Sequence, residues 1–425
     1  MKLSHLFMTL SLIRGASLPK SFDKSSLWTL GCIWLVALSL YILMHCIAPL
    51  LPVLIVDFNL SHSMAGLLYA LPILMIALFS YPLGILSDRI GMEASIGYGT
   101  AIAVAASFLR TFSMSFDFLV GSTVVFGLGF AFCFPNLPKL VKERFPPQLS
   151  GTVTGVYTTA IPFGTGLAMV LTRPILALTG GWRNVLLVWS VTTVPAVLLW
   201  WIVGRTSVSQ RARIESRTLP REDEKRSRLH ENTKNFPSSR LVSSLAVCGL
   251  LLALLNLIFY CTIGWLPTYL IEHGWAAASA ATATSFISFI EIPAMFLVPL
   301  LSDRTGRRRP IVIMSFVLMA FCSGIVSVNP SLSWFTIPAF GVTMGGVFSL
   351  LLSLPVELVE AKKVGRAAGA IISIGYAGAL IGPPVAGYLR DVTGNFSAAF
   401  LATAFLGLAA ATLSYWLPKP LPIKK

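Results

Sequence analysis

"YPLGILSDRIGMEASIG", residues 81–97, closes some seventeen almost wholly apolar residues with a compact cluster, Gly84…Asp88-Arg89…Gly91. A single charge at that point would be a solvated helix end. A glycine-framed acid–base pair asks for more, and it recurs. "PLLSDRTGRRRPIV" (299–312) ends a second apolar stretch in the same way, with Asp88 matching Asp303 and Gly91 matching Gly306 at a shift of 215. Pro52 maps to Pro267 and Asp57 to Glu272 at the same shift; Gly127 maps to Gly341, Gly151 to Gly365, Gly155 to Gly369 and Gly164 to Gly378 at 214. One matched glycine is cheap, but a register held this long is not. The chain is written twice.

Each copy is built from membrane-length segments. The 425 residues are 55% hydrophobic and 12% charged, with a mean hydropathy of +0.79, whereas a soluble domain carries about 25% charged residues. A bilayer core of about 30 Å takes about 20 apolar residues per helical crossing, because every backbone polar group must be satisfied inside the segment. Twelve such stretches lie near 27–52, 64–87, 95–113, 117–138, 150–176, 183–203, 241–267, 277–301, 310–328, 333–356, 366–389 and 396–416. The expectation is an all-α membrane protein of two pseudo-symmetric six-helix bundles, 27–203 and 241–416. A cytoplasmic tail (1–26), a cytoplasmic linker (204–240) and a second tail (417–425) flank and join them.

The net charge of +15 orients the chain rather than binding nucleic acid. With the N-terminus inside, 28 of the 32 basic residues fall in cytoplasmic segments, leaving only Arg110, Arg173, Arg183 and Arg390 for the outer side. That bias is the positive-inside pattern and places both termini in the cytoplasm. The short apolar run in "MKLSHLFMTLSLIRGAS" reads as cytoplasmic tail, since cleavage there would invert the bias. The linker, with ten basic and five acidic residues, reads as a solvated tether. The six cysteines all fall in apolar stretches without CxxC spacing, so neither disulfides nor a metal site is expected, and no cofactor is implied.

The paired motif resembles that of the major facilitator superfamily. Its signature G-x-L-x-D-R-x-G matches Gly84, Leu86, Asp88, Arg89 and Gly91. Met92 and Glu93 replace its basic pair, and Pro299 replaces the leading glycine of the second copy, where Arg307 and Arg308 restore the basic pair. The resemblance implies cytoplasmic latches between the halves, carried by Gly84, Asp88, Arg89 and Gly91 and by Asp303, Arg304, Gly306 and Arg307. Within the superfamily, "VKERFPPQLSGTVTGVYTTAIPFGTGLA" (141–168), "GGWRN" (180–184) and "FYCTIGWLPTYLIEHG" (259–274) are similar to cyanate- and nitroimidazole-permease-like transporters.

Polar groups at bilayer depth nominate a site, because an ionisable side chain there costs several kcal/mol. Glu291 is the one acidic residue at mid-span. It can carry a coupling proton, hold a cationic solute, or pair structurally with a neighbour. His45 is the one mid-span histidine, with Tyr41 one turn earlier. The repeat sends Tyr41 to Asn256 and His45 to Tyr260, so each half presents a polar patch on one helix face. A pseudo-two-fold axis would bring the patches together at the midplane, where such transporters bind ligand. Asn136, Tyr157 and Tyr376 are further cavity candidates. Arg173 offers an anion fork if it faces inward and snorkels outward if it does not, and Arg110 poses the same choice.

The expected function is secondary active transport of a small solute, an organic or inorganic anion, by alternating access with proton coupling. The competing reading is a drug or metabolite exporter on the same fold; the arginine that proton-antiport members place four residues before a glycine in helix four is Thr123 here, ahead of Gly127. A membrane enzyme or receptor is remote, because the sequence has no P-loop, HExxH or GxSxG pattern. The expected partners are the solute, the lipid bilayer and protons, with the chain a monomer in the cell (plasma or inner) membrane.

Overall fold

In the computed structural model the described residues are 24–145, 147–204, 238–358 and 364–417. They contain twelve helices long and apolar enough to cross a membrane. The first six are α1 (Ser26–Phe58), α2 (His62–Ile90), α3 (Met92–Thr111), α4 (Phe116–Arg144), α5 (Thr152–Thr179) and α6 (Trp182–Ile202). The second six are α7 (Val242–Glu272), α8 (Ala277–Thr305), α9 (Arg308–Val328), α10 (Pro330–Leu354), α11 (Gly369–Thr393) and α12 (Ser397–Trp416). Most of residues 1–26, the linker and the tail from 418 lie outside the described residues. We call the end where α1 begins and α12 finishes the near end, and the opposite end the far end.

Several helices outrun their apolar stretches. α4 continues to Arg144 and α7 to Glu272, their last turns carrying the charges that meet water. α1 continues past Pro49 and Pro52 by changing hydrogen-bond pattern. It is α-helical to His45, turns through Cys46 and Ile47, passes a 3-10 turn at Ala48–Leu50, and resumes over Leu51–Phe58. Proline has no N–H to give the carbonyl four residues back, so the ladder lapses there.

The two copies fold alike. α1 packs on α5, α2 on α4 and α3 on α6; α7 packs on α11, α8 on α10 and α9 on α12, the same pairs moved on by six. Glycines matched by the sequence repeat make matched contacts. Gly164 lets α5 approach the Leu38 carbonyl and Tyr41 of α1, while Gly378 brings α11 onto the Ala253 carbonyl of α7. Gly127 seats α4 on Pro72 and Met75 of α2, as Gly341 seats α10 on Ile287 and Ile290 of α8. A side chain at any of the four would force the helices apart. Between the bundles, α2 lies against α11 and α8 against α5, again exchanged by the two-fold relation.

The quoted cluster now has a backbone reason. Gly91 (φ 93°) ends α2 and Gly306 (φ 63°) ends α8, positive angles at which a side chain would be strained. These glycines let the chain turn back at once into α3 and α9.

Candidate functional site

Where the bundles meet, a cavity of about 40 Å³, room for about three waters, is lined by α1, α5, α7, α8, α10 and α11. Tyr41, His45, Asn256 and Tyr260, the symmetry-matched four, all line it, and so do Glu291 and Tyr376. Apart from Thr165, its remaining walls are apolar and include Phe259, Met295, Met344 and Phe348.

His45 is the centre of the polar side. Its ring stacks between Tyr41 (centroids 5.9 Å, 16°) and Tyr260 (5.8 Å, 26°), one ring from each bundle. The i, i+4 spacing produces the first stack. The second crosses the interface, because the repeat puts Tyr260 where His45 would be in the other half. Nδ1 of His45 lies 2.8 Å from the Tyr69 hydroxyl of α2. Nε2 is buried without a hydrogen-bond partner.

Glu291 sits across the cavity on α8, 8% exposed. Gly345 of α10 makes room for it: a Cβ there would meet the Glu291 backbone carbonyl and Cγ. Oε2 of Glu291, like Nε2 of His45, is buried and unpartnered. Such atoms are costly to leave unmade, so the chamber presents two polar atoms free to meet a solute or a proton. Asn256 is committed on one side, its Nδ2 donating to the Gly375 carbonyl at 3.0 Å. Tyr376, on α11, interacts with the Tyr41 hydroxyl.

Three sequence candidates stand elsewhere. Asn136 ties α2 to α4 at the near end, accepting from Ser87 Oγ (2.7 Å) and donating to the Phe132 carbonyl (2.8 Å). Tyr157 is buried behind the cavity on α5, near Tyr376. Arg173 lies two or more turns beyond the α5 residues that line the cavity, Ile161, Pro162 and Thr165, and does not reach it. Among the described residues, no lysine or arginine lines the cavity. Tyr69 was missed by sequence reasoning: it sits inside "GLLYALPILM", with no local signal of the long-range bond to His45.

The two ends of the cavity differ. At the far end α2 and α11 close on one another: Gly66 packs on Pro383 and Pro384, and Gly387 packs on the His62 carbonyl. Trp265 Nε1 donates to the Pro383 carbonyl at 2.8 Å. At the near end the latch aspartates bind within their own halves, Asp88 to Lys139 at 3.0 Å and Asp303 to Arg308 at 3.5 Å. Among the described residues, no ion pair joins either aspartate to the other bundle.

A sequence model of the Major Facilitator Superfamily matches residues 33–383. The 2-nitroimidazole transporter of Escherichia coli (strain K12) is 28% identical over 394 residues, 91% of this chain and 94% of that protein. The cyanate transport protein CynX of the same organism is 23% identical, covering 90% and 95%. Among solved structures, a bacterial homolog of the human lysosomal transporter Spinster, in an inward-facing and occupied conformation, superposes with a TM-score of 0.75 at 15% identity, covering 94% of this chain and 98% of that one.

Proposed function

The chain belongs to the Major Facilitator Superfamily, and we propose that it is a secondary active transporter that carries one small solute through the chamber around His45 and Glu291 by alternating access, driven by protons. The bundles of residues 27–203 and 241–416 rock as units. The near end is the cytoplasmic end, as the distribution of basic residues supports, and the conformation described is the inward-facing one.

The observation that carries this reading is the pairing of two spare buried atoms, His45 Nε2 and Glu291 Oε2, in one chamber at the bundle interface. A carboxyl in such a place can hold a proton in one state and release it in the other, so it can couple solute movement to a pH gradient. The solute follows from the same walls. With a carboxyl and no lysine or arginine in the lining, an ionised Glu291 repels an anion, so an anion enters only when Glu291 is protonated, which makes the coupling obligatory. The names of the relatives, transporters of cyanate and of 2-nitroimidazole, support a solute of few atoms.

The test is uptake by proteoliposomes holding the full chain, with radiolabelled cyanate and 2-nitroimidazole as probes, with and without an inward proton gradient. Accumulation of either probe above equilibrium only with the gradient supports the reading. Equal uptake with and without the gradient, or none by comparison with empty liposomes, defeats it for those solutes.

A further inference from the structure

Arg110 is a fully buried cation, 0% exposed, with no ion pair among the described residues. It lies on α3, outside the cavity. Its guanidinium sits 4.1 Å over the Phe126 ring of α4, and its one hydrogen bond runs from Nη1 to the Leu43 carbonyl of α1 at 3.0 Å. Nε and Nη2 have no partner. An arginine placed there for substrate would aim at the chamber, and this one aims at the backbone of α1.

That carbonyl belongs to the last turn before the break. The α-helical segment of α1 ends at His45, and its final carbonyls carry the negative end of the helix dipole. Pro49 and Pro52 withhold the donors that would bond the carbonyls of His45 and Ala48. A helix end of this kind, dry and short of donors, is free to fray or slip. His45 stands in this last turn and Tyr41 one turn before it, and the His45 ring stacks on Tyr260 of the other bundle.

We propose that Arg110 is a positioning residue for the chamber: its charge and its bond to Leu43 cap the broken end of α1 and hold His45 in register. Three helices then hold the last two turns of this segment, α5 through Gly164 at Leu38 and Tyr41, α2 through Tyr69 at His45, and α3 through Arg110 at Leu43. The face of Phe126 holds the guanidinium in place while costing none of its hydrogen-bond capacity. The inference rests on the chamber as the transport site for its meaning, but not for its test.

The test is hydrogen–deuterium exchange of the full chain in lipid nanodiscs, without added solute. Arg110→Met, which keeps much of the length and loses charge and donors, is expected to raise exchange of the 38–50 peptides about tenfold, as loss of a charged bond at a helix end allows. Peptides of α4 around Phe126 and of α6 around Ser190 should stay within about twofold of the wild type. Arg110→Lys keeps a cation at that end and is expected to restore most of the protection. A general packing role predicts instead that α3, α4 and α1 loosen together, with Lys no better than Met, and that result overturns the proposal. If Arg110→Met does not accumulate as folded protein, Arg110→Gln serves: it offers one neutral donor to Leu43 and should fall between wild type and loss of the cap. Wild-type exchange over 38–50 in Arg110→Gln would equally refute a role for the charge. Because exchange reads α1 directly, a failed uptake experiment leaves this result standing, and a failed exchange experiment leaves uptake untouched.

Discussion

The carboxylate of Asp391, near the end of α11, caps the first turn of α2 in the opposite bundle, accepting from the His62 N–H at 3.0 Å and the Ser63 N–H at 2.9 Å. Ser61 Oγ takes the next donor, Met64 N–H, at 3.1 Å, so the free N–H groups of that helix start are satisfied jointly by both halves. The imidazole of His62 adds a contact from Nδ1 to Asp391 at 2.7 Å and approaches Glu272 at 4.0 Å. Glu272 is held in turn by Arg390 at 3.1 Å. This cluster is the polar seal of the far end.

Removing the seal should bias the bundles toward opening there. A helix cap is worth about 1 kcal/mol, so Asp391→Ala is expected to shift the closed-to-open ratio about fivefold. A reporter cysteine at Thr268, buried on α7 about two turns beyond Tyr260 toward the far end, reads the change. Its reaction with an impermeant maleimide added at the far side should quicken about as much as the ratio shifts. An unchanged rate would mean that Asp391 does not hold the bundles shut.

Two glycines separate packing within a bundle from packing between bundles. Gly378 meets the backbone of Ala253 inside the second bundle, whereas Gly387 meets the backbone of His62 across the interface. Gly378→Ala should lower thermal stability, since overpacking a close contact costs about 1–3 kcal/mol. Gly387→Ala should leave the melting temperature nearly unaltered and raise far-side labelling of the Thr268 reporter. Both variants melting alike, with labelling unmoved, would contradict the assignment of these contacts.

For Glu291 the chamber geometry predicts a split phenotype. Glu291→Gln keeps the shape and one carbonyl oxygen but cannot release a proton. Gradient-driven accumulation in proteoliposomes should vanish while solute counterflow across equal pH persists. Accumulation at wild-type level in Glu291→Gln would assign the proton to another group.

Asp88 is paired with Lys139 within its own half but is 71% exposed, and exposed pairs contribute about 0–1 kcal/mol. Asp88→Asn should therefore barely change stability. If the aspartate latches to the other bundle in the alternate state, maximal transport rate should fall several-fold with half-saturating concentration roughly kept. A wild-type rate would reduce Asp88 to a charge that sets topology.

Much of this architecture is readable in the sequence because the bilayer leaves few options. Apolar length marks the helices, and duplication marks the halves. Duplication also explains why Tyr41, His45, Asn256 and Tyr260 could be found: two patches related by symmetry must converge if the bundles face each other. Arg173, Asn136 and Tyr157 fall away from the cavity for a reason that spacing alone does not contain. Depth along a helix and rotation about it are set by neighbours, such as Ser87 for Asn136. The seal between Asp391 and His62 joins residues 329 positions apart through backbone donors, which no side-chain motif encodes. Arg110 likewise answers to the Leu43 carbonyl in the last turn before the break, a demand visible only once α1 is seen to break.

Met295, Met344, Phe259 and Phe348 make up much of the chamber's apolar lining. Thioethers on unbranched stems change rotamer at little cost, so these walls can yield to guests of differing outline. Selection among guests then falls to the few fixed polar atoms. On such a scaffold a lineage can acquire a new cargo by exchanging one or two of those atoms, leaving the two-bundle frame around them intact.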